Sequence, residues 1–150
     1  MRVERITADD WRPWRLMRLR SVTESPEAFA TSARTVSTEH DQEARWRSRI
    51  DAAEACFLAF DGDTPVGMVA VDPADERLQL VSMFVGAEAR GRGVGAALVR
   101  AVVDVAGRRP LYLRVMDGND AAVRVYERAG FALDEGDPDA ESCLSMTYGG

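Results

Sequence analysis

The stretch Glu88-Ala89-Arg90-Gly91-Arg92-Gly93-Val94-Gly95 constrains this chain more than any other. Three glycines and two arginines fall within six residues, at the end of the strand-like run Glu76–Val85 and before a mostly apolar segment reaching Gly107. Beyond the loop, Val94, Ala97, Leu98, Ala101, Val102 and Val105 recur at the spacing of one helix face, and Pro110 bars continuation. Strand, glycine turn and helix in that order make an anion site. The first helical N–H groups lack internal acceptors, and the helix dipole places about half a positive charge there. Glycines let the backbone approach a phosphate where a Cβ would block it, and a guanidinium meets phosphate in a two-pronged way. A tight strand-to-helix corner alone would explain glycines but not the arginines beside them.

The rest of the chain reads as alternating strands and helices. Val3–Thr7 is an opening strand, Asp9 or Asp10 caps a helix from Trp11 to about Val22, and Pro26 marks its end. Thr38 caps a second helix, with Glu39, Asp41 and Glu43 in its first turn, running to about Ala52. Two apolar runs, Ala55–Phe60 and Pro65–Val71, flank the turn at Asp61-Gly62 as a hairpin. Leu111–Val115 is a later strand; Asn119 opens a helix with Ala122, Val125, Tyr126 and Ala129 on one face, ended by Gly130. Phe131–Leu133 and Ser142–Tyr148 close the chain as strands. A hairpin together with strand–helix–strand units predicts one α/β domain with a mixed sheet spanning residues 1–150.

At 150 residues the chain can bury roughly 70% of its unfolded surface, enough to fold without disulfides or metals. The net charge of −6 argues against a dedicated nucleic-acid partner. No apolar run approaches the ~20 residues of a membrane span, and the N-terminus lacks a signal-peptide core, so a cytoplasmic location is expected. Cys56 and Cys143 are isolated, lack metal-ligand spacing and read as reduced thiols; no metal is expected.

Two phosphate-binding patterns fit poorly. The Walker pattern G-x-x-x-x-G-K-[ST] is absent. Gly91–Ala96 satisfies the dinucleotide pattern G-x-G-x-x-[GA], with Asp117 as an acid further on, but three strand candidates precede it and too little chain follows. The run Arg90-Gly91-Arg92-Gly93-Val94-Gly95 instead resembles the [RQ]-x-x-G-x-[GA] loop of the GNAT superfamily of acyl-CoA-dependent N-acyltransferases. The resemblance extends to Leu80–Val85 before the loop and to Leu111–Phe131 beyond, where Asn119, Ala122, Tyr126, Gly130 and Phe131 match the family's strand followed by N-x-x-A-x-x-x-Y-x-x-x-G-F. Trp11–Ser32 is similar to the first two helices of many bacterial members.

This resemblance implies a GNAT fold, with a mixed sheet of about six to seven strands, a V-shaped splay and about four flanking helices. It implies acetyl-CoA as co-substrate, lying in the splay. The backbone of Met83, Phe84 and Val85 would pair with the pantetheine arm, and the Val85 N–H would stand near the thioester oxygen. Arg90, Gly91, Arg92, Gly93, Val94, Gly95 and Ala96 would hold the pyrophosphate, and Asn119 would touch the cofactor or simply cap its helix. Tyr126 would protonate the departing thiolate; its alternative is a core tyrosine. For a general base the residues offer Glu76 at the strand's start and Asp117 after the next strand, neither well placed, beside a water relay at Ser82.

The resemblance also implies an amine acceptor, small molecule or peptide, in a pocket formed by the first two helices and the loop before the last strand. Glu27, Phe29 and Trp46 are its candidates, as is the acidic segment Asp134–Glu141. Trp11, Trp14, Leu16 and Leu19 read as core or helix-packing residues, and His40 stands among acids at a helix start. The expected activity is transfer of acetyl to a primary amine by direct attack in a ternary complex, with homodimerisation common in such proteins. The alternative is a GNAT-fold module that senses acyl-CoA or binds a protein with little turnover.

Overall fold

The computed structural model describes residues 1–24 and 41–149. Seven strands and four α-helices lie among them: β1 (Arg2–Ile6), α1 (Trp11–Glu24), α2 (Glu43–Ala52), β2 (Ala55–Asp61), β3 (Thr64–Ala74), β4 (Arg77–Val85), α3 (Val94–Ala106), β5 (Leu111–Met116), α4 (Asp120–Ala129), β6 (Phe131–Leu133) and β7 (Cys143–Tyr148). They form one sheet in the order β1-β2-β3-β4-β5-β7-β6, antiparallel throughout except where β4 meets β5. The mixed sheet with four helices is the expected fold class.

Two cores explain why the central strands carry almost no polar residues. One gathers Trp14 and Met17 of α1 and Trp46 and Ile50 of α2 against Leu58, Met68 and Phe84 on one sheet face. The other gathers α3 and Tyr126 of α4 against Val69, Val71, Leu80 and Leu113 on the opposite face. Ala55 to Ala59 and Val66 to Val71 are therefore buried without alternation, as strands covered on both sides must be. Gly67 lets α3 close on β3: a Cβ there would lie 3.0 Å from Leu98 Cδ1, 3.1 Å from Val94 Cγ1 and 3.3 Å from the Phe84 carbonyl oxygen. Gly67→Val is expected to destabilise the protein by about 1–3 kcal/mol through overpacking, read as a lower midpoint in urea unfolding.

Several local expectations are corrected. A 3-10 turn, Ala8–Asp10, precedes α1 and has Thr7 as its N-cap: the Thr7 hydroxyl accepts from the Asp9 N–H, and the Asp10 carboxylate accepts from the Thr7 N–H to close a capping box. The first helix continues to Glu24 rather than Val22. The second begins at Glu43, after Gln42; Thr38, Glu39, His40 and Pro26 lie outside the described residues. Asp41 instead accepts two bonds from the Arg15 guanidinium, both 2.6 Å, and one from Trp46 Nε1 at 2.9 Å. On α3 the buried stripe is Val94, Leu98, Val99, Val102 and Ala106, while Ala97 is exposed, because the helix presses its Val94–Leu98 side on Gly67. Leu16 is likewise exposed, one position from the buried Met17.

Candidate functional site

β4 and β5 pair only from Leu78–Leu111 to Leu80–Leu113, although β4 runs on to Val85 and β5 to Met116. The cause lies in β4. Its register against β3 steps from Ala70–Val81 to Met68–Phe84, so Val69 faces two residues, and Ser82 sits at φ +57°. Such a bulge bends its strand and increases its twist. Beyond Leu80 the strands diverge into the expected V, and a cleft of about 1100 Å³ opens between them.

The backbone on the cleft's β4 side can be oriented from the ladder. The Gly86 N–H donates to the Val66 carbonyl at 2.8 Å, so Val66–Gly86 is a hydrogen-bonded pair and the next, Gly67–Val85, is the open one. The Val85 N–H and C=O thus point away from β3, into the gap. Arg90 Nε donates to that Val85 carbonyl at 3.2 Å. By the same alternation Phe84 turns its N–H and C=O toward Met68 on β3. Phe84 nonetheless borders the cleft, as Met83 and Val85 do.

At the mouth, Gly86 opens a 3-10 turn, Ala87–Ala89, and Gly91 and Gly93 follow at φ +78° and +80°. Gly93 is the N-cap of α3, whose first residues Val94, Gly95 and Ala96 all border the cleft. Arg20 ties this corner to α1 by bonding Glu24 at 2.7 Å and Glu88 at 2.8 Å. Arg90 borders the cleft, but Arg92 does not: it pairs with Asp61 in the β2–β3 hairpin at 3.1 Å. In its place Arg100 and Arg128 border the cleft from α3 and α4. Helical spacing could have found both, since Arg100 follows Ala96 by one turn and Arg128 follows Val125 by three residues.

Tyr126 projects from α4 at the depth of the V, buried and edge-on to Phe131 with ring centroids 6.0 Å apart. Its hydroxyl has no hydrogen-bond partner among the described residues. Burial pushes the phenol well above its ordinary value, so it stays a neutral O–H donor at working pH. Stability follows with a definite sign. The unfolded chain releases this proton near pH 10, before the folded protein does, so the stability is complete below pH 10 and lost as pH rises toward the folded value. Buried Cys56, pushed up to about 11 by desolvation, acts in the same direction. Thermal scans from pH 8 to 11 are expected to show the midpoint falling at the alkaline end, less steeply in Tyr126→Phe.

Asn119 caps α4, its Oδ1 accepting from the Ala122 N–H at 3.3 Å, and also borders the cleft. Met83 lies beside Gly95, its Cε 3.4 Å from where a Cβ would stand. Three expected site residues lie elsewhere. Glu76 is exposed in the β3–β4 turn, a full strand length from Val85. Asp117 is exposed in the turn after β5, where its N–H donates to the Ser142 carbonyl at 2.8 Å, and it does not border the cleft. Trp46 is buried in the α1–α2 core with its indole N–H on Asp41. Glu27 and Phe29 lie outside the described residues. Among the described residues, no helix is long and apolar enough to cross a membrane.

Known proteins share this fold. The sequence pattern of the Acetyltransferase (GNAT) family matches residues 9–131. An uncharacterized N-acetyltransferase of Bacillus subtilis, YfmK, is 24% identical over 106 residues, covering 67% of this chain and 71% of the relative. A mycothiol acetyltransferase of Geodermatophilus obscurus is 32% identical over 135 residues, covering 75% of this chain; the match spans only 42% of that longer protein. Among solved structures, the ribosomal-protein-alanine N-acetyltransferase of Brucella melitensis superposes with a TM-score of 0.75 at 18% identity, over 98% of both chains. The PaiA N-acetyltransferase of Thermoplasma acidophilum, solved with coenzyme A, gives 0.69 at 16% identity, again over 98% of both chains. These two likenesses establish the fold, and the family pattern, which takes in the glycine loop, the splayed strand and Tyr126, establishes descent: the chain belongs to the GNAT family of acetyltransferases.

Proposed function

We propose that the cleft binds acetyl-CoA and that the protein moves its acetyl group to a primary amine by direct attack within a ternary complex. The observation that carries this reading is the splay itself, with a glycine-capped helix start at one end and the unbonded hydroxyl of the buried Tyr126 bordering the gap. Gly91, Gly93 and the first N–H groups of α3 form a cradle open to a pyrophosphate, with no heavy atom within 4 Å of a Cβ at Gly91 or Gly93. Arg90 and Arg100 add positive charge beside it. The pantetheine arm would run along Met83 to Val85, pairing with the outward-turned Val85 backbone.

The chemistry then asks three things of this chain. The Val85 N–H donates to the carbonyl oxygen as negative charge develops on it, a contribution worth about 3–4 kcal/mol where one such donor has been removed from other enzymes. The Tyr126 hydroxyl gives its proton to sulfur as the C–S bond breaks. The apolar walls, Val94 and Val125 among them, keep water from the thioester.

A screen of primary amines, amino-terminal peptides included, with free thiol as the readout, tests this. Amine-dependent release of CoA is the expected result. Tight acetyl-CoA binding without release from any amine would favour a sensing or protein-binding module.

A further inference from the structure

The transferase reading leaves one step without a residue. An aliphatic amine is neutral in only about one molecule in a few thousand at pH 7, so a proton must be accepted before attack. Glu76 and Asp117 do not border the cleft. Among the described residues, one carboxylate does, Glu141. Resting on that reading, we propose that Glu141 receives the acceptor's ammonium group and takes its proton.

The segment before β7 is built to present this side chain. Asp139 organises it: its Oδ1 accepts from the Glu141 N–H at 2.9 Å and the Cys143 N–H at 3.1 Å. Its own N–H donates to the Cys143 carbonyl at 2.9 Å, and its carbonyl accepts from Ser142 at 2.9 Å, with Ser142 at φ +62°. Arg114 of β5 then binds both acids, Nε on Asp139 Oδ2 at 2.8 Å and Nη2 on Glu141 Oε1 at 3.2 Å. This guanidinium and the Cys143 N–H hold the Asp139 carboxyl down at about 2, so the turn keeps its charge wherever the enzyme works. Glu141 Oε2 has no hydrogen bond among the described residues.

The direction of approach also fits. Leu113 and Val115 face the α3–α4 core, so Arg114 between them stands on the other face of β5. Glu141, bonded to it, therefore looks into the V from the face opposite Tyr126. A thioester lying in the gap would have the proton acceptor on one side and the proton donor on the other. The protons balance. Glu141 takes one from the ammonium; the freed lone pair forms the N–C bond; Tyr126 gives its proton to sulfur as C–S breaks. The nitrogen's second proton returns to the phenolate, and Glu141 releases its own to solvent.

Glu141→Gln keeps the size of the side chain and an oxygen for Arg114. The probes are n-butylamine, an ammonium ion at pH 7, and hydroxylamine, which is unprotonated there. Glu141→Gln is expected to lose 100-fold or more in kcat/KM for n-butylamine at pH 7, with the deficit shrinking as pH rises toward 10. Its hydroxylamine turnover should stay within threefold of wild type, and its acetyl-CoA affinity and thermal midpoint should be unchanged. Wild-type n-butylamine rates in the variant, or equal losses with both probes at every pH, would overturn the assignment. Absence of CoA release above the enzyme-free rate from wild type with either probe would instead contradict the transferase reading on which it rests.

Discussion

Tyr126→Phe is expected to lower kcat by 100-fold or more while acetyl-CoA still titrates with an affinity within twofold of wild type. The change removes one oxygen. The ring keeps its place in the core against Phe131 and the α3 side of the sheet. Because the hydroxyl has no partner among the described residues, its loss strands no buried polar group, and stability should hold or rise slightly. What disappears is the only proton this side chain can give. An unperturbed phenol and thiol differ by about 1.5 pKa units, roughly 2 kcal/mol, and burial of Tyr126 widens the gap. In the proposed reaction that cost is met because the thiolate is short-lived and held beside the hydroxyl. Single-turnover and steady-state rates with the best amine from the screen measure the effect. A kcat within threefold of wild type would remove Tyr126 from the chemistry.

The second large effect concerns the loop, where two glycines do different work. Gly93 holds φ +80°, and open space surrounds its missing Cβ. Valine there meets strain rather than a clash, worth about 1–3 kcal/mol, which the chain can relieve only by turning the first N–H groups of α3 elsewhere. Gly93→Val should therefore weaken acetyl-CoA binding 30-fold or more and lower stability by a similar strain. Gly95 has ordinary helical backbone, and its Cβ would sit 3.4 Å from Met83 Cε and 3.9 Å from both Val85 and Val125, between the walls of the V. Gly95→Ala fits the helix, where alanine is favoured by about 1 kcal/mol, yet places a methyl in the ligand's path. Tenfold or weaker binding with an unchanged or higher thermal midpoint is the expected outcome, read by calorimetry beside a thermal scan. Undiminished binding in both variants would mean that the ligand does not lie in this loop.

Much of the fold and of the cleft is legible in the amino-acid sequence alone. Local rules place the helices that matter: the apolar period and Pro110 bound α3, and Asn119 and Gly130 bound α4. The glycine loop and the motif around Tyr126 together identify the family. What escapes is set by tertiary contact. Ser82 carries the bulge that splays the sheet, and a serine gives no sign that it will adopt φ +57°. Trp46 has the same local sequence whether it lines a rim or fills a core, and only packing against α1 decides. Arg92 reads like Arg90 until the hairpin brings Asp61 to it. Glu76 is excluded by strand length alone: nine residues at about 3.3 Å each put it some 30 Å from Val85. Glu141 is visible in the sequence only as part of an acidic loop, because its position depends on Arg114, 27 residues earlier.

Every role assigned to a side chain here depends on the V between β4 and β5 being an acetyl-CoA site. Calorimetric titration of the wild-type protein with acetyl-CoA, with NADH as control, tests it most directly. Micromolar, saturable binding of acetyl-CoA at one site per chain and none of NADH is the predicted result. Binding of NADH with no response to acetyl-CoA would contradict the claim, and the assigned roles of Tyr126, Val85 and Glu141 would fall with it.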